Sequence, residues 1–592
     1  MHPAKRFFRR IPSARDITVF LLLTFAASGS VAAGTACVPG VAAGQPYYYD
    51  RFSADARPWR PPEERNFEEV YQRYEYYEVY YADGGRRLKV RRYERGRPGP
   101  VQEFVFSAEC ALRPVSGGTA VRPDTLYARH CAACHGADRV GLSGPALLPE
   151  SLSRLGIERT VRVIRDGLPA TQMPGFASVL SSDEIRALAG FLHEPPAREP
   201  TWTEADIRKT HRVMIGPEPL SDTPVFDADP LNLFLVVEKG DHHITVLDGD
   251  RFEPIGRFKT HYALHGGPKF SPDGRIVYLA SRDGWISRFD LYNLKTTAEI
   301  RVALNTRNLA VSPDGRYVLA GNTLPRTLVL LDASDLSLVR VIPVVSETGA
   351  RSRVSAVYQA APRGSFIVAL KDIPEIWELR VQNRDARIRH IDVEAPLDDF
   401  FFDPSYRHLI GANRQAETGE VIDLDTGKKV AELELPGMPH LGSGIVWQYQ
   451  GRPVFATPHL KEGKVSVIDM RDWKVIKRIE TLGPGFFMRS HENSPHAWVD
   501  VFFGPNKDAM HVIDKQKLEI VATLRPEPGK VAAHVEFDRY GRHALVSIWD
   551  NDGAVVVYDD RTLKEVKRLP MKKPSGKYNV YNKITRSAGT SH

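Results

Sequence analysis

The stretch FSPDGRIVYLASRDGWISRFD, residues 270–290, contains two short β-rich runs, each bounded by turn residues, and ends in an apolar residue followed by an acid. The pentapeptide SPDGR returns at 312–316, and similar runs recur from about residue 205 to the end of the chain. The recurring acids are Asp248, Asp290, Asp332, Glu378, Asp423, Asp469, Asp514 and Asp559. Their spacing of 42 to 46 residues is typical of a four-stranded propeller blade. Eight such acids predict an all-β, eight-bladed propeller over residues 199–592, with a seven-bladed ring carrying one insertion as the alternative.

The bulk composition is that of a folded chain with several domains. The chain has 592 residues, 42% of them hydrophobic, and a formal net charge of +7. Spread over this length the charge is mild, and we find no basic run of the kind that binds nucleic acid. The sequence therefore predicts no nucleic-acid partner and only a weak preference for anionic ligands.

A second decisive stretch, YARHCAACHGADRVGLSGPAL at residues 127–147, contains Cys131, Cys134 and His135 as C-x-x-C-H, the attachment signature of a c-type haem. Two thioethers would fix the porphyrin and His135 would ligate the iron. A zinc or redox fragment is the alternative, but the motif ends a short predicted helix and a loop suited to lie under the ring follows it. Met173 in GLPATQMPGF is the predicted sixth ligand, the alternative being a core methionine with a histidine in that position.

The haem motif lies in a predicted small all-α domain, residues 119–198, in which apolar residues recur at helical spacing. Ser182 and the acids after it predict the start of the last helix of this domain. Residues 34–118 form an extension rich in tyrosine and charge. Its segment YEYYEVYYADGGRRLKVRRYERG predicts a small β-hairpin module around the Asp-Gly-Gly turn, to which we assign no role.

The N-terminus predicts export. A basic segment precedes the apolar run ITVFLLLTFAASGSVAA, so residues 1–33 read as a signal peptide cut near Ala33, with a retained membrane anchor as the alternative. Export and c-type haem both predict the periplasm, and we expect no stable membrane insertion of the mature chain. Cys37 and Cys110 could pair in that oxidising compartment.

Residues 119–592 resemble the cytochrome cd1 family, in which a c-type haem domain is joined to an eight-bladed propeller that holds haem d1. The similar segments are YALHGGPKFSPDGRIVYLASRDGWISRFDL, NTRNLAVSPDG, FIVALKD, VFATPHL, SIWDNDG and SGKYNVYNK. The resemblance implies that His265 is the proximal ligand of the macrocycle iron. It also implies that Arg282 and Arg307, and more weakly Lys371, bind carboxylates of the macrocycle, which suits the planar guanidinium group.

Two departures separate this chain from the nitrite reductases of that family, which carry two proton-donating histidines over the distal face. The corresponding residues here are read as Ala361 and Asp398, which disfavours nitrite reduction. The chain instead resembles the dihydro-haem d1 dehydrogenase branch. Members of that branch oxidise a propionate of the precursor macrocycle to an acrylate in the last step of haem d1 biosynthesis.

The resemblance to this branch implies three further site residues. His534 would be the distal iron ligand, His440 the base, and Tyr578 a proton relay or an organiser of the pocket. Dihydro-haem d1 would be the substrate, and the electrons would pass to the c haem and then to an external acceptor.

Three other functions remain open at this stage. The propeller could be a carrier that delivers haem d1 to the cytochrome cd1 nitrite reductase. That reductase is expected to be a transient partner whether the chain is a carrier or a dehydrogenase. The chain could be a nitrite reductase with different proton donors, or an electron-transfer propeller without a second cofactor. The covalent haem argues against a pure carrier, because a carrier needs no electron path.

Overall fold

A computed structural model describes six strands between residues 46 and 114 by their backbone, and then most of the chain from residue 122 onward. The latter residues are 122–141, 144–152, 155–167, 173–198, 200–214, 219–262, 264, 267–412 and 418–585. Four predictions fall outside the described residues: the signal peptide, Cys37, Cys110 and His265.

The chain divides into two compact units, and the division runs through the predicted cytochrome c region. The first unit comprises Met1–His130, Leu155–Gly167 and Gly175–His193; the second comprises Cys131–Arg154, Leu168–Pro174 and Glu194–His592. The described helices are α1 (Pro123–His130), α2 (Ala132–His135), α3 (Pro149–Leu152), α4 (Ile157–Asp166), α5 (Ser182–His193), α6 (Glu204–Thr210) and α7 (Val580–Thr585). None of these is long and apolar enough to cross a membrane.

The first unit contains a six-stranded antiparallel sheet with the order β2-β1-β3-β4-β5-β6. Its strands are β1 (Pro46–Asp50), β2 (Ala56–Pro58), β3 (Glu75–Ala82), β4 (Arg87–Glu94), β5 (Arg97–Phe106) and β6 (Leu112–Pro114). Strands β3 and β4 pair with Ala82 opposite Arg87, so the β-hairpin predicted around the Asp-Gly-Gly turn is confirmed.

Helices α1, α4 and α5 also belong to the first unit. Helix α5 begins one residue after Ser181, whose hydroxyl accepts from the Glu184 N–H while the Glu184 carboxylate accepts from the Ser181 N–H and hydroxyl. This reciprocal capping explains why the helix starts where the serine and acids predicted. Residues at helical spacing on α5 are buried, and the rings of Tyr127 on α1 and Phe191 on α5 lie 5.9 Å apart.

The second unit contains, within its described residues, eight antiparallel blades of four main strands each, as predicted. Blade 1 contains β8 (Leu233–Glu238), β9 (His243–Asp248) and β10 (Glu253–Lys259), with β39 (Pro574–Asn579) as its inner strand. Blade 2 contains β11 (Lys269–Phe270), β12 (Ile276–Ala280), β13 (Trp285–Asp290) and β14 (Lys295–Arg301). Blade 3 contains β15 (Asn305–Val311), β16 (Tyr317–Leu324), β17 (Thr327–Asp332) and β18 (Leu338–Pro343), and blade 4 contains β19 (Val354–Ala360), β20 (Ser365–Leu370), β21 (Glu375–Gln382) and β22 (Asp385–Asp392). The short β7 (Arg212–Val213) adds to the edge of blade 2.

The remaining four blades repeat the same plan. Blade 5 contains β23 (Asp399–Phe402), β24 (His408–Ala412), β25 (Thr418–Asp423) and β26 (Lys428–Glu434). Blade 6 contains β27 (Ile445–Tyr449), β28 (Arg452–Pro458), β29 (Lys464–Asp469) and β30 (Lys474–Glu480). Blade 7 contains β31 (Met488–Ser490), β32 (His496–Asp500), β33 (Met510–Asp514) and β34 (Glu519–Leu524), and blade 8 contains β35 (Ala532–Phe537), β36 (His543–Ile548), β37 (Gly553–Asp559) and β38 (Glu565–Met571).

The blades form a closed ring. Strand β39, near the C-terminus, pairs antiparallel with β8 and completes blade 1, with Tyr578 opposite Leu235. Among the described residues, eight apolar clusters each join two consecutive blades, including blade 8 with blade 1. The hydrophobic core of the propeller is therefore a ring of interblade layers.

The recurring acids have a structural cause. Seven of them end the third strand of a blade, where the carboxylate accepts hydrogen bonds from backbone N–H groups of the following turn, as Asp423 does from Asp425 and Thr426. An acid at this place caps the turn to the outer strand, which explains why it returns in seven of the eight blades. Glu378 differs, because it lies inside β21 and is held by Arg363 and Arg389.

One end of the propeller collects the candidate site residues. We call this the site end: it is formed by the loops that precede the first strand of each blade and the loops between the second and third strands. Because neighbouring strands are antiparallel, these two sets of loops lie at the same end of every blade.

Candidate functional site

The haem-attachment turn is ordered by its own backbone. The Cys131 carbonyl accepts from the N–H groups of Cys134 (3.1 Å) and His135 (2.9 Å), which places all three side chains on one helical turn. His135 Nδ1–H donates to the Pro145 carbonyl at 2.8 Å, so Nε2 is the nitrogen with a lone pair for a metal. Burial lowers the pKa of His135, which keeps the ring neutral. Two thiols and an oriented neutral imidazole are the donor set that a c-type haem requires.

The loop after the motif packs closely against His135. A Cβ atom at Gly144 would lie 2.7 Å from His135 Cε1, so only glycine fits at this position. Met173 is partly exposed and belongs to the same unit as His135. Its role as sixth ligand stays a prediction.

Arg301 fastens the attachment loop to the propeller. From the end of β14, its guanidinium donates to the carbonyl of Val140 at 2.6 Å and to the carbonyl of Asp283 at 2.8 Å. The same group lies over the Trp202 ring, 4.7 Å from its centroid. The loop that follows the haem cysteines is thus tied to the strand pair that carries Arg282.

His440 lies at the site end, in the loop between β26 and β27. Its Nδ1–H donates to the Phe486 carbonyl at 2.5 Å, which leaves Nε2 as the basic nitrogen. The rings of His440 and Phe486 lie 4.2 Å apart. This arrangement fixes both the tautomer and the plane of the imidazole.

His534 lies on β35, beside a bulge between Ala533 and Val535, and has a backbone φ of 49°. A histidine in this left-handed region is strained by about 1–2 kcal/mol and needs support from its surroundings. Burial, assisted by the positive charge of Lys577, lowers the pKa of His534 well below its usual value. Its Nδ1 accepts a long hydrogen bond of 3.4 Å from the Lys577 N–H, so the neutral ring carries its proton on Nε2. Ligation of a metal through Nε2 therefore requires this proton to leave Nε2.

The three residues assigned from the resemblance converge on one place. The Phe487 ring lies 4.8 Å from the His534 ring and 5.9 Å from the His440 ring. The Tyr578 ring lies 5.4 Å from that of His534. Burial raises the pKa of Tyr578, so the phenol keeps its proton and can act as a donor.

Several basic side chains are buried near these residues. Lys269 and Lys583 are buried, and desolvation lowers the pKa of Lys269 to about 7. Arg489 is buried beside Glu536, at 3.6 Å, and its Nη2 has no hydrogen-bond partner among the described residues. A buried cation is costly unless it is paired, so a bound anion would favour the charged forms of these groups. The interior therefore fits a macrocycle that carries carboxylates.

The predicted carboxylate-binding residues also lie at the site end. Arg282 neighbours Lys239, whose pKa burial and the charges of Arg282 and Lys573 lower to about 8. Arg307 Nε donates to the Ser355 carbonyl at 2.7 Å.

Lys371 is held by another residue of the site end. Its Nζ donates to the Asp398 carboxylate at 3.0 Å, so this cation is already neutralised by a protein anion. His265 is outside the described residues, but Leu264 before it pairs with Ser281, next to Arg282. Leu264 is thus close to one predicted carboxylate-binding arginine.

One sequence argument needs correction. Ala361 lies in the turn between the first and second strands of blade 4, at the end opposite to the site end, and is exposed. It is therefore no distal-face position, and the absence of histidine there says nothing about nitrite reduction. Asp398 does lie at the site end, so the absence of a histidine at that position still disfavours nitrite reduction.

Sequence reasoning missed Asp500, Lys577 and Arg489. Asp500 is fully buried, and burial raises its pKa to about 6 although backbone N–H groups of Phe486, Phe487 and His534 oppose the shift. A buried carboxylate whose partners are backbone groups leaves no local pattern in the sequence. Lys577 lay within the similar segment SGKYNVYNK without being singled out.

Comparison with known families identifies the class. Residues 228–583 match the family described as Cytochrome D1 heme domain, and residues 118–192 match the family described as Cytochrome C oxidase, cbb3-type, subunit III. The first match covers more than half of the chain, which therefore belongs to the cytochrome D1 haem-domain family. The predicted resemblance to cytochrome cd1 is confirmed.

Similar proteins define the branch within the family. Dihydro-heme d1 dehydrogenase of Pseudomonas aeruginosa is 61% identical over 79% of this chain and 95% of its own length. Nitrite reductase of Stutzerimonas stutzeri is 25% identical over 77% of this chain and 92% of its own. A solved structure described as dihydro-heme d1 dehydrogenase NirN in complex with DHE is 61% identical, has a TM-score of 0.76, and covers 78% of this chain and 99% of that one. The chain thus stands with the dihydro-haem d1 dehydrogenases.

Proposed function

We propose that this protein is a periplasmic dihydro-haem d1 dehydrogenase that oxidises a propionate side chain of the haem d1 precursor to an acrylate. The observation that carries the proposal is the 61% identity to the Pseudomonas aeruginosa dehydrogenase over nearly the whole of that enzyme. A c-type haem held by Cys131, Cys134 and His135 would supply an acceptor for the electrons, which an external acceptor would then take up. The macrocycle is a substrate here, and after the reaction it becomes available to the cytochrome cd1 nitrite reductase.

Formation of the double bond removes two protons and two electrons from adjacent propionate carbons. His440 takes one proton at Nε2, because its Nδ1–H is committed to the Phe486 carbonyl, and the second proton is released to water. Tyr578 keeps its phenolic proton and can donate a hydrogen bond that orients the substrate. His265 and His534 bind the substrate iron from its two faces, and Arg282 and Arg307 hold its carboxylates; Lys371 would contribute only if it left Asp398.

The covalent haem distinguishes a dehydrogenase, which needs an electron path, from a carrier, which needs none. Cys131, Cys134 and His135 would hold the haem, with Met173 as the proposed further ligand, and the bound haem would supply a one-electron acceptor. The chain's own contribution is to hold the attachment loop, through Arg301, against the strands that carry Arg282.

The test is an anaerobic reaction of the holoprotein, with its c haem oxidised, and dihydro-haem d1. We expect the extracted macrocycle to lose two hydrogens in mass. Tight binding with unchanged mass would overturn the dehydrogenase and identify a carrier. Conversion of added nitrite by the loaded protein at a rate comparable to dehydrogenation would instead identify a nitrite reductase.

A further inference from the structure

The backbone of His534 is held at both of its polar groups by buried side chains. Asp500 Oδ2 accepts from the His534 N–H at 3.2 Å, and Lys577 Nζ donates to the His534 carbonyl. Lys577 is itself oriented by Ser547, whose hydroxyl accepts from Nζ at 2.7 Å. Strain at a positive φ persists only where the surroundings over-determine the backbone, and these two contacts do so.

The other oxygen of Asp500 acts on the histidine of the neighbouring loop. Oδ1 accepts from the N–H groups of Phe486 (2.7 Å) and Phe487 (3.0 Å). The Phe486 carbonyl is the acceptor that fixes His440 Nδ1–H, and the Phe487 ring contacts both histidines. One carboxylate therefore sets the peptide that orients His440 and the peptide that carries His534.

The three elements that meet at Asp500 come from different blades. Asp500 ends β32 of blade 7, His440 precedes blade 6, and His534 belongs to blade 8. Without a shared anchor, small shifts between blades would change the separation of the two histidines. A carboxylate with both oxygens engaged fixes that separation directly.

We propose that Asp500 and Lys577 are a positioning pair for the dehydrogenation, holding His534 in its strained conformation and, through the Phe486–Phe487 turn, aligning it with His440. Neither residue is assigned a contact with substrate. The inference rests on the proposed function, since it assigns positioning roles in that reaction.

Two variants test the pair, and a third is the control. Asp500→Asn replaces one acceptor oxygen by a donor that faces an N–H group, and Lys577→Met keeps the apolar stem but removes the donor. Asp508→Asn is the matched control: Asp508 is a buried acid of the same blade, accepts from the Gly529 N–H at 2.9 Å, and pairs with Arg525. It has no recorded contact with either histidine among the described residues.

The measurements are the single-turnover rate of dihydro-haem d1 oxidation and the substrate dissociation constant, both made with the holoprotein. We expect Asp500→Asn and Lys577→Met to lower the rate about 10- to 100-fold, since misalignment acts on the reacting geometry. The dissociation constant should change less than about 3-fold, because the predicted macrocycle-binding residues remain. Asp508→Asn should keep the wild-type rate. If Asp500→Asn does not accumulate as a folded haem protein, Lys577→Met decides the question alone.

Two results overturn the proposal. The first is that Lys577→Met has the wild-type rate and that Asp500→Asn either has the wild-type rate too or does not fold. The other is a loss that lies entirely in the dissociation constant or appears equally in Asp508→Asn. The reaction of the wild-type protein distinguishes a failure of this proposal from a failure of the proposed function. If the wild-type protein binds dihydro-haem d1 without dehydrogenating it, both inferences are wrong.

Discussion

His440 and His534 differ in what their Nδ1 atoms do, and this difference suits their separate roles. His440 donates from Nδ1 to a carbonyl, so Nε2 is the nitrogen that carries the lone pair and can accept a proton. His534 accepts at Nδ1 from the Lys577 N–H, within a buried and positively charged surrounding that keeps it neutral. The first arrangement suits a base, and the second a neutral ligand whose proton must be displaced on metal binding.

Removing the imidazole of His440 should stop the chemistry and leave binding intact. We expect His440→Ala to lower the oxidation rate by at least about 100-fold, the usual worth of a general base, with little change in substrate affinity. Single-turnover kinetics and a binding titration measure both quantities. His390→Ala, on the outer strand β22, is the control for loss of a histidine. A His440→Ala protein with full activity would contradict the assignment.

The sixth ligand of the c haem is open to a direct test. A thioether ligand raises the reduction potential relative to a second imidazole. If Met173 is the ligand, Met173→His should lower the midpoint potential of the c haem, as read by a spectroscopic redox titration. An unchanged potential and spectrum would show that Met173 does not bind the iron.

At the scale of elements, strand β32 is anchored at both ends, by Asp500 at the site end and by His496 at the other. His496 lies 3.3 Å from Asp560, which also accepts from Trp498 Nε1 at 2.7 Å and the Ser494 hydroxyl at 2.6 Å. This hydrogen-bonded cluster joins blade 7 to the turn after the third strand of blade 8. The hydrogen bond to Asp560 raises the pKa of His496 above its usual 6.5.

A raised pKa makes the contribution of His496 depend on pH in one direction. The stabilisation is fully present below about pH 6.5, where His496 is charged in both states, and is lost as pH rises through the folded-state pKa. We expect the wild-type melting temperature to fall more between pH 6 and pH 8 than that of His496→Gln. Thermal unfolding followed by circular dichroism measures the difference, and equal pH slopes would contradict it.

The sequence predicted elements best where a local rule repeats. Seven third strands end at an acid because the turn after each needs acceptors for its N–H groups, and that need recurs in seven of the eight blades. Glu378 kept the period but lies inside its strand, paired with arginines, so spacing alone could not locate the strand end. The capped start of α5 was likewise predictable, because Ser181 and Glu184 lie in one turn of chain.

The candidate site was predictable only in part. The haem turn is a contiguous motif, and the resemblance supplied His440, His534 and Tyr578, which the fold brings together around Phe487. Asp500 escaped because its partners are backbone groups of two other segments, which no spacing encodes. The misassigned Ala361 shows the opposite error: a position inferred from a nearby strand lay at the wrong end of its blade.

At the scale of the whole molecule, the ring depends on a strand supplied by the last part of the chain. Strand β39 is the inner strand of blade 1 and also carries Lys577 and Tyr578. Without it, β8 loses one of its two hydrogen-bonded neighbours, and Tyr578 is lost from the apolar layer between blades 1 and 2.

Truncation tests this closure. A protein that ends before Pro574 should lose cooperative thermal unfolding and become sensitive to limited proteolysis, whereas one that lacks only residues 586–592 should behave as wild type. Equal melting temperatures for the two truncated proteins would contradict a ring closed by β39.

The binding of the substrate's carboxylates and the path of its electrons also belong to this scale. Buried basic groups such as Lys269 and Arg489 suit a substrate with carboxylates, and the haem turn is attached to the same unit through Arg301. The account requires that electrons taken from the macrocycle arrive at the haem held by Cys131, Cys134 and His135.

The most direct measurement counts those electrons. With the oxidised holoprotein in excess over dihydro-haem d1 and no other acceptor present, the account predicts two c haems reduced for each macrocycle that loses two hydrogens, as read by rapid-mixing absorbance and by mass of the extracted macrocycle. Reduction of the c haem without a mass change, or a mass change with the c haem still oxidised, would contradict it.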